Sequence, residues 1–137
     1  ESQLRQRAEL SVDLLAISPV IAEATQVSQI VINLLLNAAD AVQDRPDGQR
    51  RITLAVSEEA DRGLIAVSDS GDGIPAELMD RIFDPFVSTK SQDVPRGFGL
   101  AVVREIVDAL GGEIRVRTEI GRGSTFVVSV PTAKARG

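Results

Sequence analysis

The chain has 137 residues, which suits one domain large enough to bury a core. Its net charge of -5 argues against a nucleic-acid surface, and the absence of cysteine excludes disulfides and thiolate metal sites. Histidine is also absent, which removes the usual general base, the usual zinc ligand and any phosphohistidine from this chain.

In chain order, residues 8–15 read as a strand, ended by Ser18-Pro19. Thr25 is the expected N-cap of a long helix that runs to about Val42. Arg45-Pro46-Asp47-Gly48 is turn chemistry. Residues 51–57 alternate, with Ile52, Leu54 and Val56 on one face, and residues 64–68 pair with them as a hairpin around Asp61-Arg62-Gly63. A glycine-rich loop covers 69–75, and short helical turns cover 76–83. Residues 87–97 show no periodicity and predict a mobile loop. A helix over 98–110 stops at Gly111-Gly112. Strands 113–118 and 125–130 flank a turn at Gly121-Arg122-Gly123. The sum is an α+β, two-layer sandwich: a mixed sheet of about five strands with about three helices on one face. No apolar run is long enough to span a membrane, so the expectation is a cytoplasmic domain without membrane contact.

Three clusters could carry chemistry. Asn33 and Asn37 project from one face of the long helix amid apolar neighbours. Burying an amide without a partner costs roughly 2 kcal/mol or more, so they either bond backbone in the core or face a ligand. Asp69-Ser70-Gly71-Asp72-Gly73-Ile74-Pro75 follows a strand directly. Its glycines permit positive φ and close approach, which serves a tight turn or a ligand site. The spaced ligands and terminal Glu of an EF-hand are missing there. The third cluster runs from Phe83 and Phe86 through Thr89-Lys90 to Gly97-Phe98-Gly99-Leu100, where a helix begins. A glycine-rich helix N-terminus suits phosphate. The stretch is neither a P-loop nor a Rossmann fingerprint, and by itself it would read as a loop and a cap.

The order and spacing of these clusters resemble the N, G1, F and G2 boxes of sensor histidine kinases. The tail from Gly111-Gly112-Glu113-Ile114 through Gly121-Arg122-Gly123-Ser124-Thr125-Phe126 to Pro131 resembles the end of that family's catalytic domain. The resemblance covers nearly the whole chain and is densest from Gln26 to Pro131. Asn-Ala-Ala-Asp-Ala at 37–41 and Phe86-Val87-Ser88-Thr89-Lys90 are most similar to the nitrogen-regulation and dicarboxylate-sensing branch. The fold implied is the Bergerat type. One ATP-binding catalytic domain would occupy 1–137, with 1–7 the remnant of a linker from a missing phosphoacceptor domain.

The resemblance also implies roles. Asn37 matches the asparagine that holds Mg²⁺ on the ATP phosphates, and Asp69 the aspartate that accepts from the adenine amine. Gly71 and Gly73 give the base room, Ile74 lies against it, and Ser124 joins Asp69 at its edge. Thr89 and Lys90 approach the phosphates, and Gly97 and Gly99 supply hinge and backbone donors; Phe86, Phe98 and Leu100 belong to the same boxes. Asn33 stands where related ATPases carry a general-base glutamate. The implied partners are ATP, a histidine-bearing dimerisation domain of the same kinase and a downstream response regulator. The implied function is transfer of the γ-phosphate to that histidine.

There are departures. Pro95 replaces the first G2 glycine and removes one backbone donor, for which Arg96 offers charge in compensation. Asp40 and Ala41 stand where many relatives have a basic residue and an aromatic, so Asp40 is not expected to contact phosphate. The alternatives are an ATPase of the gyrase and chaperone group, or a nucleotide-binding regulatory module without transfer activity. Stimulus, response regulator and membrane anchoring of the whole protein lie outside the sequence.

Overall fold

Five segments alternate strongly enough to form strands, and one sheet collects them. A computed structural model describes residues 9–14, 19–20, 22–46, 48–84 and 98–133. The strands are β1 (Glu9–Leu14), β2 (Arg51–Glu59), β3 (Arg62–Asp69), β4 (Glu113–Glu119) and β5 (Gly123–Pro131), in the order β1-β2-β3-β5-β4. β1 runs parallel to β2, and every other pair is antiparallel. The helices are α1 (Ala24–Ala41) and α2 (Phe98–Ala109), with a 3₁₀ helix at Ala76–Arg81. This is the expected mixed sheet of five strands. The expected loop at 87–97 and the expected linker at 1–7 lie outside the described residues.

Period-two alternation puts Ile52 of β2, Ile65 and Val67 of β3, and Phe126, Val128 and Val130 of β5 on one face, all buried. Four-residue spacing puts Ile30, Leu34 and Ala38 of α1, and Val103 and Val107 of α2, on stripes that complete this core. Each Val, Leu, Ile or Phe among them contributes about 1.5–3 kcal/mol by leaving water. The other sheet face carries residues such as Ala66, Ser68, Thr125 and Val127, and no described helix packs on it.

Several boundaries differ from the sequence expectation, and β5 begins at Gly123, inside the turn expected at 121–123. The N-cap of α1 is Glu23, not Thr25, because Gln26 turns its Oε1 back to accept the Glu23 N–H at 2.9 Å. The β2–β3 turn falls at Ala60-Asp61, with φ of 53° and 63°, one residue earlier than expected. A two-residue turn of this hand matches the strand twist. The Asp61 carbonyl also accepts from the Thr132 N–H at 3.0 Å and hydroxyl at 2.9 Å, a tether far away in sequence. At the end of α2, Gly111 takes a φ of 74° and the Gly112 N–H donates to the Val107 carbonyl at 2.9 Å, which closes the helix as expected.

Candidate functional site

Asp69 is the last residue of β3, and its side chain points to the helix-covered face with 8% exposure. A buried carboxylate needs donors. Its Oδ1 accepts the Gly71 N–H at 2.9 Å and the Ser124 N–H at 3.3 Å. The second bond exists because β5 pairs Ser124 directly with Asp69. The carboxylate is therefore held in one orientation by backbone.

The loop after Asp69 is clamped on three sides. Ser70 Oγ accepts from the Arg51 N–H at 2.7 Å and donates to the Gln49 carbonyl at 2.6 Å. The Asp72 carbonyl accepts the Gly121 N–H at 2.8 Å, and its carboxylate meets Arg45 at 3.2 Å. That ion pair is partly exposed and contributes little by itself. At Gly71 a Cβ would lie 2.5 Å from the Ala41 carbonyl oxygen, so the loop rests on the last turn of α1. At Gly73, where φ is 84°, a Cβ would lie 2.5 Å from the Glu119 carbonyl oxygen. Both glycines are required by close approach of backbone to backbone.

Ile74 packs half-buried on the core, and its N–H donates to Thr118 Oγ1 at 2.8 Å. Thr118 Oγ1 lies 2.9 Å from Ser124 Oγ. Thr118 was not among the candidates from the sequence. The available signal was a hydroxyl in the inward position after Ile114 and Val116, at the end of an alternating strand. A cavity of about 250 Å³ opens beside Asp69, Thr118 and Ser124. A larger hollow on the opposite sheet face, around Arg62, Arg115 and Arg117, contains none of the candidate residues.

Asn33 and Asn37 are half-exposed, on the flank of the buried stripe of α1 and not in it. Asn33 Oδ1 accepts from Gln29 Nε2 at 3.4 Å along the same helix. The Asn37 amide has no hydrogen-bond partner among the described residues and is solvent-accessible. α2 packs across α1: the Cβ position of Gly99 lies 4.0 Å from Asn33 Cβ, and Leu100 packs on the core. The structure thus gathers Asp69, Gly71, Gly73, Ile74 and Ser124 at one end of the sheet, under the last turn of α1. Asn33 and Gly99 meet where the two helices touch, and Leu100 packs on the core. Phe86, Thr89, Lys90, Pro95, Arg96 and Gly97 lie outside the described residues, and Phe98 is described only as the first residue of α2.

A fixed carboxylate acceptor beside a hydroxyl fits the amino edge of adenine. Among the described residues no group of three or more His, Cys, Asp or Glu could hold a metal ion. The Asn37 amide oxygen fits a hard cation that brings phosphate and water ligands with it, as Mg²⁺ does.

This fold and this polar end of the sheet have counterparts among known proteins. Residues 22–134 match the family described as histidine kinase-, DNA gyrase B- and HSP90-like ATPase. The chain belongs to that ATP-binding family. Sensor histidine kinase ZraS of Escherichia coli K12 is 40% identical over 111 residues, which are 80% of this chain and 22% of that protein. Sensory histidine kinase/phosphatase NtrB of Rhizobium leguminosarum bv. phaseoli is 39% identical over 127 residues, 84% of this chain and 32% of that protein. The catalytic domain of histidine kinase ThkA superposes with a TM-score of 0.78 at 27% identity, covering 96% of this chain and 83% of that one. The chain spans about a third or less of these two curated relatives. The NtrB match agrees with the branch expected from residues 37–41 and 86–90. No described helix is long and apolar enough to cross a membrane.

Proposed function

We propose that this chain is the catalytic domain of a two-component sensor histidine kinase, binding Mg·ATP and donating its γ-phosphate to a histidine on a separate domain. The observation that carries the reading is the buried Asp69 carboxylate, oriented by the Gly71 and Ser124 amides, in a domain of this ATP-binding family. Asp69 accepts from the adenine amine, Ser124 stands at the same edge, and Ile74 supports the face of the base. Asn37, half-exposed one helical turn after Asn33, offers its amide oxygen to the cation on the phosphates. Thr89, Lys90, Arg96, Gly97 and Gly99 carry the phosphate end.

The transfer breaks the bond between the γ-phosphorus and the β–γ bridging oxygen and forms a phosphorus–nitrogen bond to an imidazole. ADP leaves. Positioning and charge neutralisation are the main requirements of such a step. Asn33 favours transfer to histidine over hydrolysis, because a neutral amide cannot take a proton from attacking water. The partners on this reading are a histidine-bearing dimerisation domain and, downstream, a response regulator, with the reaction in the cytoplasm. The test is to mix this chain with a separately prepared dimerisation domain from a sensor kinase of the same branch and γ-labelled ATP. Label on the histidine domain is expected. Rapid release of phosphate with no labelled histidine would favour an ATPase.

A further inference from the structure

We propose that the sheet face opposite the helices is a docking site for an extended acidic segment of a partner protein, read by Arg115 and Arg117 of β4. The proposal stands apart from the nucleotide reading, because this face points away from the one that carries Asp69.

Strand register sets three rows across this face: Ser68–Thr125–Arg117, Ala66–Val127–Arg115 and Leu64–Ser129–Glu113. The side chains on β5 are short and those on β4 are long, so the face is hollow, with a volume of about 760 Å³. Arg62 closes one end: its Nε donates to Ser129 Oγ at 3.2 Å and its Nη2 to the Gly111 carbonyl at 3.4 Å. The floor hydroxyls are engaged, since Ser68 and Thr125 bond each other at 2.9 Å. The β4 arginines keep their donors for a partner. Arg115 is 83% exposed and meets Glu113 at 3.6 Å, a pair that water makes weak. Arg117 has no ion pair among the described residues.

Charge and spacing pick the occupant. The planar fork of a guanidinium matches a carboxylate. Side chains two apart on an extended chain stand about 6.5–7 Å apart, which is also the separation of Arg115 and Arg117 along β4. A partner strand with carboxylates at alternate positions therefore meets both arginines. Two positions further on lies the row of Leu64, which seats an aliphatic side chain. The matching order is acidic-x-acidic-x-aliphatic. A nucleic acid fits worse. Glu59 and Glu113 on the rim repel a continuous polyanion, and the described lining holds no aromatic ring on which a base could stack.

The test titrates the isotope-labelled chain with the peptide Ser-Glu-Ser-Glu-Ser-Leu-Ser and follows backbone amide resonances. Shifts should gather at Arg115, Arg117 and Val127 and leave Asn33 and Asn37 unmoved. Arg115→Gln and Arg117→Gln, both at exposed positions of β4, should each weaken the peptide about three- to fivefold, the worth of one exposed charge pair. Arg81→Gln, at an exposed position of the 3₁₀ helix, should leave binding unchanged. Serine in place of the peptide leucine should weaken binding about threefold. Glutamine in place of both peptide glutamates should abolish it. Equal binding of the glutamine peptide overturns the proposal. So does an absence of shifts on β4, or a loss in Arg81→Gln as large as in Arg115→Gln. Tighter binding of oligothymidylate than of the peptide at the same residues would assign the face to nucleic acid and overturn it as well.

Discussion

The Ser124 amide donates to the Asp69 carboxylate at 3.3 Å, across the paired ends of β5 and β3. The two residues are 55 apart in sequence, so only sheet formation brings the donor to the acid. Asp69→Asn should weaken ATP binding by about 1.5–3 kcal/mol, the range for a hydrogen bond to a charged group. GTP should bind the unchanged chain poorly, because its keto oxygen would meet the carboxylate. Calorimetry with both nucleotides checks this, and equal affinities would contradict the placement of the base.

Asn37 tests the phosphate end. Asn37→Ala should weaken Mg·ATP by roughly 1.5–3 kcal/mol while leaving metal-free adenosine nearly unchanged. Equal losses for the two ligands would make Asn37 a structural residue.

Asn33 tests the chemistry. The isolated chain should bind ATP and release phosphate slowly, since general-base help is typically worth 10²- to 10⁴-fold in rate and Asn33 cannot provide it. Fast phosphate release that survives Asn33→Ala would overturn this. Asn33→Glu should raise release only if water reaches the γ-phosphate in line.

Gly123 couples stability to the site. Its φ is 127°, and a Cβ there would run into the Asp69 carbonyl. Gly123→Ala should cost about 3 kcal/mol or more and should displace Asp69 as well. Urea unfolding and ATP titration of the variant should both move. A normal midpoint with normal affinity would show that the β3–β5 end tolerates the extra carbon.

Phe126→Ala separates the core from the site. The ring is 2% exposed between the sheet and the helices, so its removal should cost about 3–5 kcal/mol. The ratio of ATP to GTP affinity should stay the same wherever the variant remains folded. A changed ratio would tie base selection to core packing.

Local pattern by itself determined the elements. Alternation at Ile52, Leu54 and Val56 marked a strand face, the long apolar stretch before Val42 marked α1, and Gly111-Gly112 marked the end of α2. These signals survive because the side-chain period and the left-handed tolerance of glycine belong to short segments. The order of the polar clusters also points to the nucleotide-binding family. The tertiary structure decided the rest. It inserted β5 between β3 and β4 and laid β1 parallel to β2. It set the β2–β3 turn at Ala60-Asp61, where Thr132 bonds the Asp61 carbonyl, and it drew in Thr118, whose bond to Ile74 spans 44 residues. Such contacts have no local signature. They exist only because burying the sheet's apolar face chooses the strand partners, and the strand ends then carry their polar residues into reach of one another.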